Sequence, residues 1–462
     1  DQSIMWNGAL EMLHGHFHEP CFYGQAYNTM LESLLAVPLL WLGVGPAVAL
    51  PLTTSVLTLF PFALLAWVLA RRREYALAAL MLVFPVLLPP EFGMITSLSR
   101  GFVTGVFLSS LAVLPLFSKR GVFLLLSPFF AILALFANPN AALVLAPAGL
   151  LIVLRYHADR RPYLLGAIGA LPALVLYYLG HHFYELRPNY VVHTMWDLQF
   201  RAADIRWADL RFMDELDPLL WGKGWFVLVL LSLLGVILGK ARQWKAVIAL
   251  LFGTMLLLLS FGVNKIHDGL PSVFYPWARM FLAIPFLLVL FASQLKWRPA
   301  RWVLWLMPLL AAGFFSFKCV VLNAAVERQV ASGKETDVVV AKVADLKTHC
   351  MMIAHIARAE HAQLIVVGLN AGKQLTNYGC PCLVKDFPAT MEPLLDRRSW
   401  WLKANAPLVV PNVLFAEFWE GQFAGKRSVE RVSQDPLIYV LKNNSLRTDS
   451  LLAHLGIKLR PY

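Results

Sequence analysis

The residues best suited to chemistry lie at the start of the chain, within residues 1–33. This is the only long polar segment before a series of apolar runs, and it carries two acids of interest, Asp1 and Glu32. A carboxylate in such a loop can take the proton from an attacking hydroxyl group. A general-base role for Asp1 is therefore one interpretation, and N-capping of a helix over 2–13 is the structural alternative. For Glu32, the second acid, a solvated face of its helix is the favoured interpretation.

Three side chains far downstream could bind a phosphate group that leaves when the hydroxyl attacks. Arg279 stands at the start of an apolar run, where a charge is costly unless it faces an anion or water. Arginine binds phosphate with a bidentate fork and lysine binds it as a point charge. We predict that Arg279, Lys265 and the neighbouring His267 bind a donor phosphate. For Lys265, extension to lipid headgroups is a close alternative.

Further substrate contacts are expected from the aromatic motif 22–27 and from two charged residues beyond the next span. Aromatic rings of this motif, together with Trp6, could stack on a sugar, although aromatic residues are common at membrane interfaces. Gly24 is expected to permit a tight turn. Glu91 and Arg100 are expected to pair or to line the same cavity. The predicted substrate-binding residues are Tyr23, Gln25, Tyr27, Glu32, Glu91 and Arg100.

Three histidines alternate just before Glu19, at His14, His16 and His18. Imidazole is a common metal ligand, and His14 and His18 have the i,i+4 spacing that a helix would bring to one face. A divalent metal is therefore one interpretation of this segment. A polar loop without metal is the favoured one.

The composition predicts that these residues are positioned by membrane helices. Of 462 residues, 58% are hydrophobic and only 15% are charged, whereas a soluble domain has nearer ~25% charged residues. About twenty apolar residues cross ~30 Å of hydrocarbon. Residues 29–43 are expected to form an interfacial helix, and a further membrane helix is expected to precede Asp1. The candidate spans are 47–70, 75–90, 99–118, 121–137, 140–154, 162–180, 223–239, 245–262, 276–294 and 301–318.

The net charge of +12 is distributed as expected for a membrane protein and not for a nucleic-acid-binding protein. Five loops between the spans are rich in Lys and Arg and contain only two acids, Glu74 and Asp159. If 71–73 is cytoplasmic, every one of these basic loops falls on the same side, as the positive-inside rule requires. The loops 1–33 and 181–222 and everything after 319 then lie on the other side, which is the periplasm in a bacterium.

The composition changes after about 320, where short β-type runs at 338–340, 364–368 and 436–441 surround a helical pattern at 341–360. These patterns predict a small periplasmic α/β domain. Its cysteines allow a disulfide from Cys350 to Cys380 or Cys382, with free thiols as the alternative. The predicted domains are 1–46, a first loop with interfacial helices; 47–318, the transmembrane helices with the loop 181–222; and 319–462, the α/β domain.

The motif 22–27, followed by Leu31-Glu32 and an apolar helix, resembles the first external loop of the GT-C glycosyltransferases. These membrane enzymes use polyprenyl-phosphate sugars and are related to protein mannosyltransferases and aminoarabinose transferases. In that superfamily an acid follows the first membrane helix, and Asp1 occupies the matching place, although Gln2 replaces the usual second acid. The resemblance therefore implies that Asp1 is the general base. The segment 275–280 resembles the family's arginine-containing helix mouth.

This resemblance implies a polytopic α-helical membrane protein, GT-C-like, with a C-terminal periplasmic α/β domain. It implies an inverting glycosyltransferase of the bacterial inner membrane. The partners would be a polyprenyl-phosphate-linked sugar, a glycan, lipid or protein acceptor, and membrane lipids, without nucleic acid. One alternative is a transporter or flippase for lipid-linked sugar. Another is a polysaccharide polymerase or ligase, whose centre would be the arginines of the 181–222 loop.

Overall fold

The structure is a computed structural model that describes most of the chain in separate ranges. Several predicted features lie outside these ranges, namely Asp1, Lys265, His267, Arg279 and the strand at 338–340. The described residues are 2–188, 199–206, 212, 216–217, 219–263, 280–295, 301–332, 342–367, 379–391, 409–416, 421, 423 and 428–457.

The N-terminal two thirds of the described chain are helical, and each predicted span overlaps an apolar helix. Four helical stretches among the described residues are long and apolar enough to cross a bilayer, and a bent pair makes a fifth. The helices are α1 (Gln2–Leu13), α2 (Leu31–Trp41), α3 (Pro46–Arg71), α4 (Tyr75–Leu87), α5 (Pro90–Ser97), α6 (Phe102–Ala112), α7 (Gly121–Ala137), α8 (Ala142–Tyr156), α9 (Arg161–Leu186), α10 (Gly224–Lys240), α11 (Trp244–Ser260), α12 (Ala283–Ala292) and α13 (Arg301–Ser332).

The predicted span at 75–90 is interrupted, because α4 and α5 meet at an angle of 85°. Leu88 and Pro89 between them are extended. Each of these two residues precedes a proline, and the proline ring disfavours the helical conformation of the residue before it. The next helix begins only at Phe102, after Gly101 with φ +82°. Residues 88–101 therefore form a bent connection that contains α5, where the sequence indicated the end of one span, a loop at 90–98 and the start of the next span at 99.

Contacts between the helix ends place several basic loops at one end of the bundle. The Arg155 guanidinium, at the end of α8, donates to the Leu116 carbonyl at 2.6 Å and to Gln294 Oε1 at 2.5 Å. These two partners immediately precede the basic clusters at 119–120 and 296–301. A Cβ on Gly253 would lie 3.0 Å from Pro147, so Gly253 of α11 packs directly against Pro147 of α8. The two helices therefore lie at the same depth in the bundle. We call this the basic end of the bundle.

The C-terminal region contains a five-stranded mixed sheet of order β2-β1-β3-β5-β4. Strand β1 is parallel to β2 and β3, while β5 is antiparallel to β3 and β4. One face is covered by helix α14, and the other by α16. The elements are α14 (Val343–Ala359), β1 (Leu364–Val367), α15 (Cys380–Leu383), β2 (Ala389–Met391), β3 (Val413–Ala416), β4 (Val429–Gln434), β5 (Leu437–Leu441) and α16 (Thr448–His454).

The α/β character of this region is confirmed, and of the two disulfides that the sequence allowed, the structure contains Cys350–Cys380. This bond ties α14 to α15, and Cys382 lies outside the disulfide, where its thiol donates to Asn7 Oδ1 at 3.1 Å. Helix α13 continues to Ser332, well beyond the residue 318 at which the span was expected to end.

Replacing Cys350 and Cys380 with Ser is expected to destabilise the sheet domain by about 3–4 kcal/mol, because the bond closes a loop with a sequence separation of 30 residues. The measurement is the rate of limited proteolysis of the domain in detergent under non-reducing conditions. Cys382→Ser, which removes a thiol outside the disulfide, is the matched control. Equal proteolysis of the double variant and the unmodified protein would contradict the prediction.

Candidate functional site at the start of the chain

Helices α1 and α2 and the loop between them fold together against α3. Their shared core includes Met5, Phe22 and Met30, all buried. The Ser33 hydroxyl donates to the Met5 carbonyl at 2.9 Å, and the Phe22 amide donates to the Asn28 carbonyl at 2.6 Å. The opening segment is therefore a packed unit, and its side chains are held in place by other elements.

Glu32, in the first turn of α2, is fully buried, with 0% of its surface exposed. Its carboxylate accepts a hydrogen bond from the Gly101 amide at 3.1 Å and another from Thr54 Oγ1 at 3.3 Å. The Thr54 and Ser99 hydroxyls lie 2.5 Å apart. The interpretation of Glu32 as part of a solvated face is therefore wrong. It anchors the segment 99–101 to α2 and α3, since a buried carboxylate must be matched by donors.

The start of α1 lies beside the same segment. Gln2 Nε2 donates to the Ser99 carbonyl at 3.1 Å. Asp1 lies outside the described residues, but it is bonded directly to a residue that is held at this point. The Arg100 guanidinium lies 5.9 Å from the centre of the Phe102 ring.

Tyr27 completes this group. Burial raises the pKa of the Tyr27 phenol, and the charge of the nearby Arg100 opposes that rise. The two side chains therefore feel each other electrostatically, and both are partly exposed. Of the predicted site residues, the structure brings Tyr27, Glu32 and Arg100 together, next to the residue that follows Asp1.

Two asparagines at the turn between α7 and α8 hold the site in place through hydrogen bonds to Asn28 and Phe102. Asn138 Nδ2 donates to Asn28 Oδ1 at 2.7 Å, and Asn140 Nδ2 donates to the Phe102 carbonyl at 2.9 Å. Both side chains are buried. Sequence reasoning treated Asn138-Pro139-Asn140 only as a break between two short spans. The signal in the sequence was a pair of amide side chains between two apolar runs. Buried amide groups need hydrogen-bond partners, so this pair indicated a contact with another polar segment.

Two of the predicted substrate contacts belong to the interior of the loop. Tyr23 is buried, and its hydroxyl donates to Glu11 Oε2 at 2.5 Å. Burial and the charge of Glu11 raise the pKa of the Tyr23 phenol. Gln25 is also buried, and its backbone N–H donates to the Phe22 carbonyl at 2.8 Å across a turn in which Gly24 has φ +98°. The tight turn at Gly24 is confirmed.

The stacking role considered for several aromatic side chains is therefore corrected. A ring can stack on a sugar only if one of its faces is open. Within the described chain these rings are packed against apolar neighbours of α1 and α2, and Tyr27 alone among the proposed rings keeps a partly exposed surface. The three buried rings are Trp6, Phe22 and Tyr23.

The histidines do not share a helical face, because α1 ends at Leu13. His14 and His16 are exposed, while His18 packs on Tyr23 and lies 3.5 Å from Glu19. Among the residues that the structure describes, no group of three or more His, Cys, Asp or Glu is arranged to hold a metal ion.

Glu91 belongs to a different place from Arg100. It lies in the first turn of α5, whose eight residues span about 12 Å, whereas Arg100 follows the other end of that helix. Glu91 lines an open cavity of about 700 Å³ together with Asp217, Trp221 and Lys223. The helix between them argues against the expected pairing of Glu91 with Arg100.

Comparison with known proteins addresses the fold. No protein-family model matches the chain, and no curated protein matches it. Among solved structures, it is similar to the crystal structure of ArnT from Cupriavidus metallidurans in the apo state, with a TM-score of 0.59. The match covers 96% of this chain and 93% of that chain at 13% sequence identity. The chain therefore has the fold of that ArnT structure.

This fold accounts for the layout described above. The packed opening segment, the apolar helices and the C-terminal sheet all fall within a match that spans nearly the whole of both chains. The predicted class, a polytopic α-helical membrane protein with a C-terminal α/β region, is confirmed. Because the sequence identity is only 13%, the match shows the fold and does not by itself show the reaction.

Proposed function

We propose that the protein is an inverting glycosyltransferase that moves one sugar from a polyprenyl-phosphate donor to an acceptor. The observation that carries this proposal is the GT-C fold, which extends over 96% of the chain. The acceptor would be a glycan, a lipid or a protein. The reaction would take place on the membrane face opposite the basic end, which is the periplasmic face of a bacterial inner membrane.

The chemistry is a single displacement at the anomeric carbon. The acceptor hydroxyl oxygen forms a bond to that carbon while the bond from the carbon to the phosphate oxygen breaks. Asp1 takes the hydroxyl proton, and the phosphate leaves with its negative charge. Arg279, Lys265 and His267 hold that charge as it develops. One displacement inverts the configuration at the anomeric carbon.

The described residues would act mainly by positioning. Glu32 fixes the backbone of 99–101 and with it the direction of Arg100. Arg100 and Tyr27, both partly exposed, would contact the substrates. Buried Tyr23 and Gln25 would hold the shape of the loop. Glu91, in its separate cavity, would contact a more distant part of the acceptor.

The experiment that tests the proposal is an assay in proteoliposomes with a radiolabelled polyprenyl-phosphate sugar. A transferase releases free polyprenyl phosphate in a protein-dependent manner, because the bond between sugar and phosphate must break. A flippase moves the intact donor to the other leaflet and releases none. Donor translocation without any release of polyprenyl phosphate, over a panel of sugars and acceptors, would refute the proposal.

The proposed topology predicts which side of the membrane a thiol reagent reaches. In a background with Cys319 and Cys382 changed to Ser, Gln434→Cys in the sheet domain should react with an impermeant maleimide in intact spheroplasts. Lys245→Cys at the basic end should react only after permeabilisation. Cys21 should not interfere, because burial raises its pKa to about 12 and keeps the thiol neutral. The opposite labelling pattern would invert the topology.

A further inference from the structure

Helices α10 and α11 form an antiparallel pair with an apolar groove between them. A turn at 241–243 joins them, and the groove encloses about 630 Å³. Its walls are mostly aliphatic, and side chains such as Val236 and Leu251 are more than half exposed in the protein alone. In a bilayer this surface is covered by hydrocarbon. The lining includes Leu231, Gly235, Val236, Gly239, Val247 and Leu251.

Two glycines create the space in this groove. A Cβ added to Gly235 would come no closer than 3.9 Å to Leu250, and one added to Gly239 no closer than 3.8 Å to Trp244. Both distances are ordinary van der Waals contacts. The glycines therefore do not serve a close approach of the two backbones, and they leave a channel that larger side chains would fill.

The groove has the length of one leaflet. From Leu231 to Lys240 it follows about nine residues of helix, or roughly 14 Å. Half of the ~30 Å hydrocarbon thickness is about 15 Å. One extended acyl chain would fill the groove from the middle of the bilayer to the basic end of the bundle.

The end of the groove at the membrane surface is cationic. Lys240, Arg242 and Lys245 are all exposed there, and the two helices with their turn contain no acidic residue. The Trp244 ring is 63% exposed beside them, as is typical of a tryptophan at the level of the headgroups. A phosphate at this point would meet three positive charges, and neither helix brings an acid to it.

We propose that this groove is a binding site for an anionic phospholipid, with an acyl chain between α10 and α11 and the phosphate at Lys240. The groove lies at the basic end, whereas the site at the start of the chain faces the opposite way. Binding here is therefore independent of the proposed sugar transfer. The apolar groove holds the acyl chain of the lipid, and the three cations favour a lipid whose headgroup is negatively charged.

The test is native mass spectrometry of the purified protein after incubation with equal amounts of phosphatidylglycerol and phosphatidylcholine of identical acyl chains. We expect phosphatidylglycerol adducts to exceed phosphatidylcholine adducts by roughly fivefold for each cation that meets the phosphate. The variant Lys240→Gln with Arg242→Gln and Lys245→Gln should lower this ratio towards one without lowering the total lipid retained. Gly235→Leu with Gly239→Leu should reduce both adducts.

The controls separate this groove from the rest of the surface. Leu is a better helix former than Gly, so the double leucine variant should keep its unfolding midpoint. Arg71→Gln with Arg72→Gln and Arg73→Gln removes three charges elsewhere and should leave the lipid ratio unchanged. The proposal is overturned if the unmodified protein retains both lipids equally. It is also overturned if the leucine variant folds and keeps its lipid, or if the control at 71–73 abolishes the preference.

Discussion

Asp1→Asn is expected to lower the rate of sugar transfer by roughly 10²–10⁴-fold, the range over which a positioned general base contributes. Asparagine has nearly the same shape but cannot take a proton from the acceptor hydroxyl. The donor is held by its phosphate and its lipid tail, so its affinity should change little. The measurement is the initial rate of transfer in membranes with matched protein amounts, together with the donor dissociation constant.

The matched control is Asp345→Asn, which makes the same chemical change on the exposed surface of α14 and should leave the rate unchanged. Asp1→Glu keeps a carboxylate but displaces it, so its transfer rate should lie between the rates of Asp1→Asn and Asp345→Asn. Transfer by Asp1→Asn at nearly the unmodified rate would remove Asp1 from the mechanism. Loss of donor binding in that variant would make the carboxylate a binding group.

The apolar helices could be predicted from the sequence because hydropathy and charge are local properties. A run of apolar residues between basic loops fixes a span without reference to any other part of the chain. The interruption at 88–101 could also be anticipated in part, since Pro89 and Pro90 follow one another. The angle between α4 and α5 could not be, because it depends on how α5 packs.

The burial of Glu32 shows where reasoning from soluble proteins fails. Glu32, Ala36 and Leu40 recur at intervals of four and form the buried face of α2, while Leu34 and Trp41 are exposed. Beside a membrane the outer face of a helix is apolar, so a charged residue belongs on the inner face. The spacing of Glu32, Ala36 and Leu40 was visible in the sequence. The rule that acids lie on the exposed face of a helix placed Glu32 on the wrong face of α2.

The contacts that assemble the candidate site join distant parts of the chain. Asn28 and Asn138 are separated by 110 residues, and Gln2 and Ser99 by 97. No local pattern in one sequence specifies such pairs. The same limit applies to the sheet, where the sequence indicated only β1 and β5 of the five described strands. Strand β4 alternates irregularly, β2 has only three residues and β3 only four, so their local patterns are weak.

Glu32→Ala is expected to lower the free energy of unfolding by about 1–3 kcal/mol, because the buried Gly101 amide loses its acceptor. The Thr54 hydroxyl also loses a contact with Glu32, but it keeps the Leu50 carbonyl as an acceptor. Transfer should fall as well, because the Gly101 backbone, and with it the adjacent Arg100, would no longer be held by Glu32. The measurements are thermal unfolding in nanodiscs and the transfer rate at a temperature where the variant remains folded.

Glu32→Gln separates positioning from catalysis. The amide oxygen can still accept from the Gly101 amide. The amide nitrogen can donate to Thr54 Oγ1, whose hydroxyl can turn to the Leu50 carbonyl 3.0 Å away. A positioning role therefore predicts that Glu32→Gln keeps most of the stability and most of the transfer rate. If Glu32 were the base, Glu32→Gln would fold normally and be as inactive as Glu32→Ala, while Asp1→Asn would stay active.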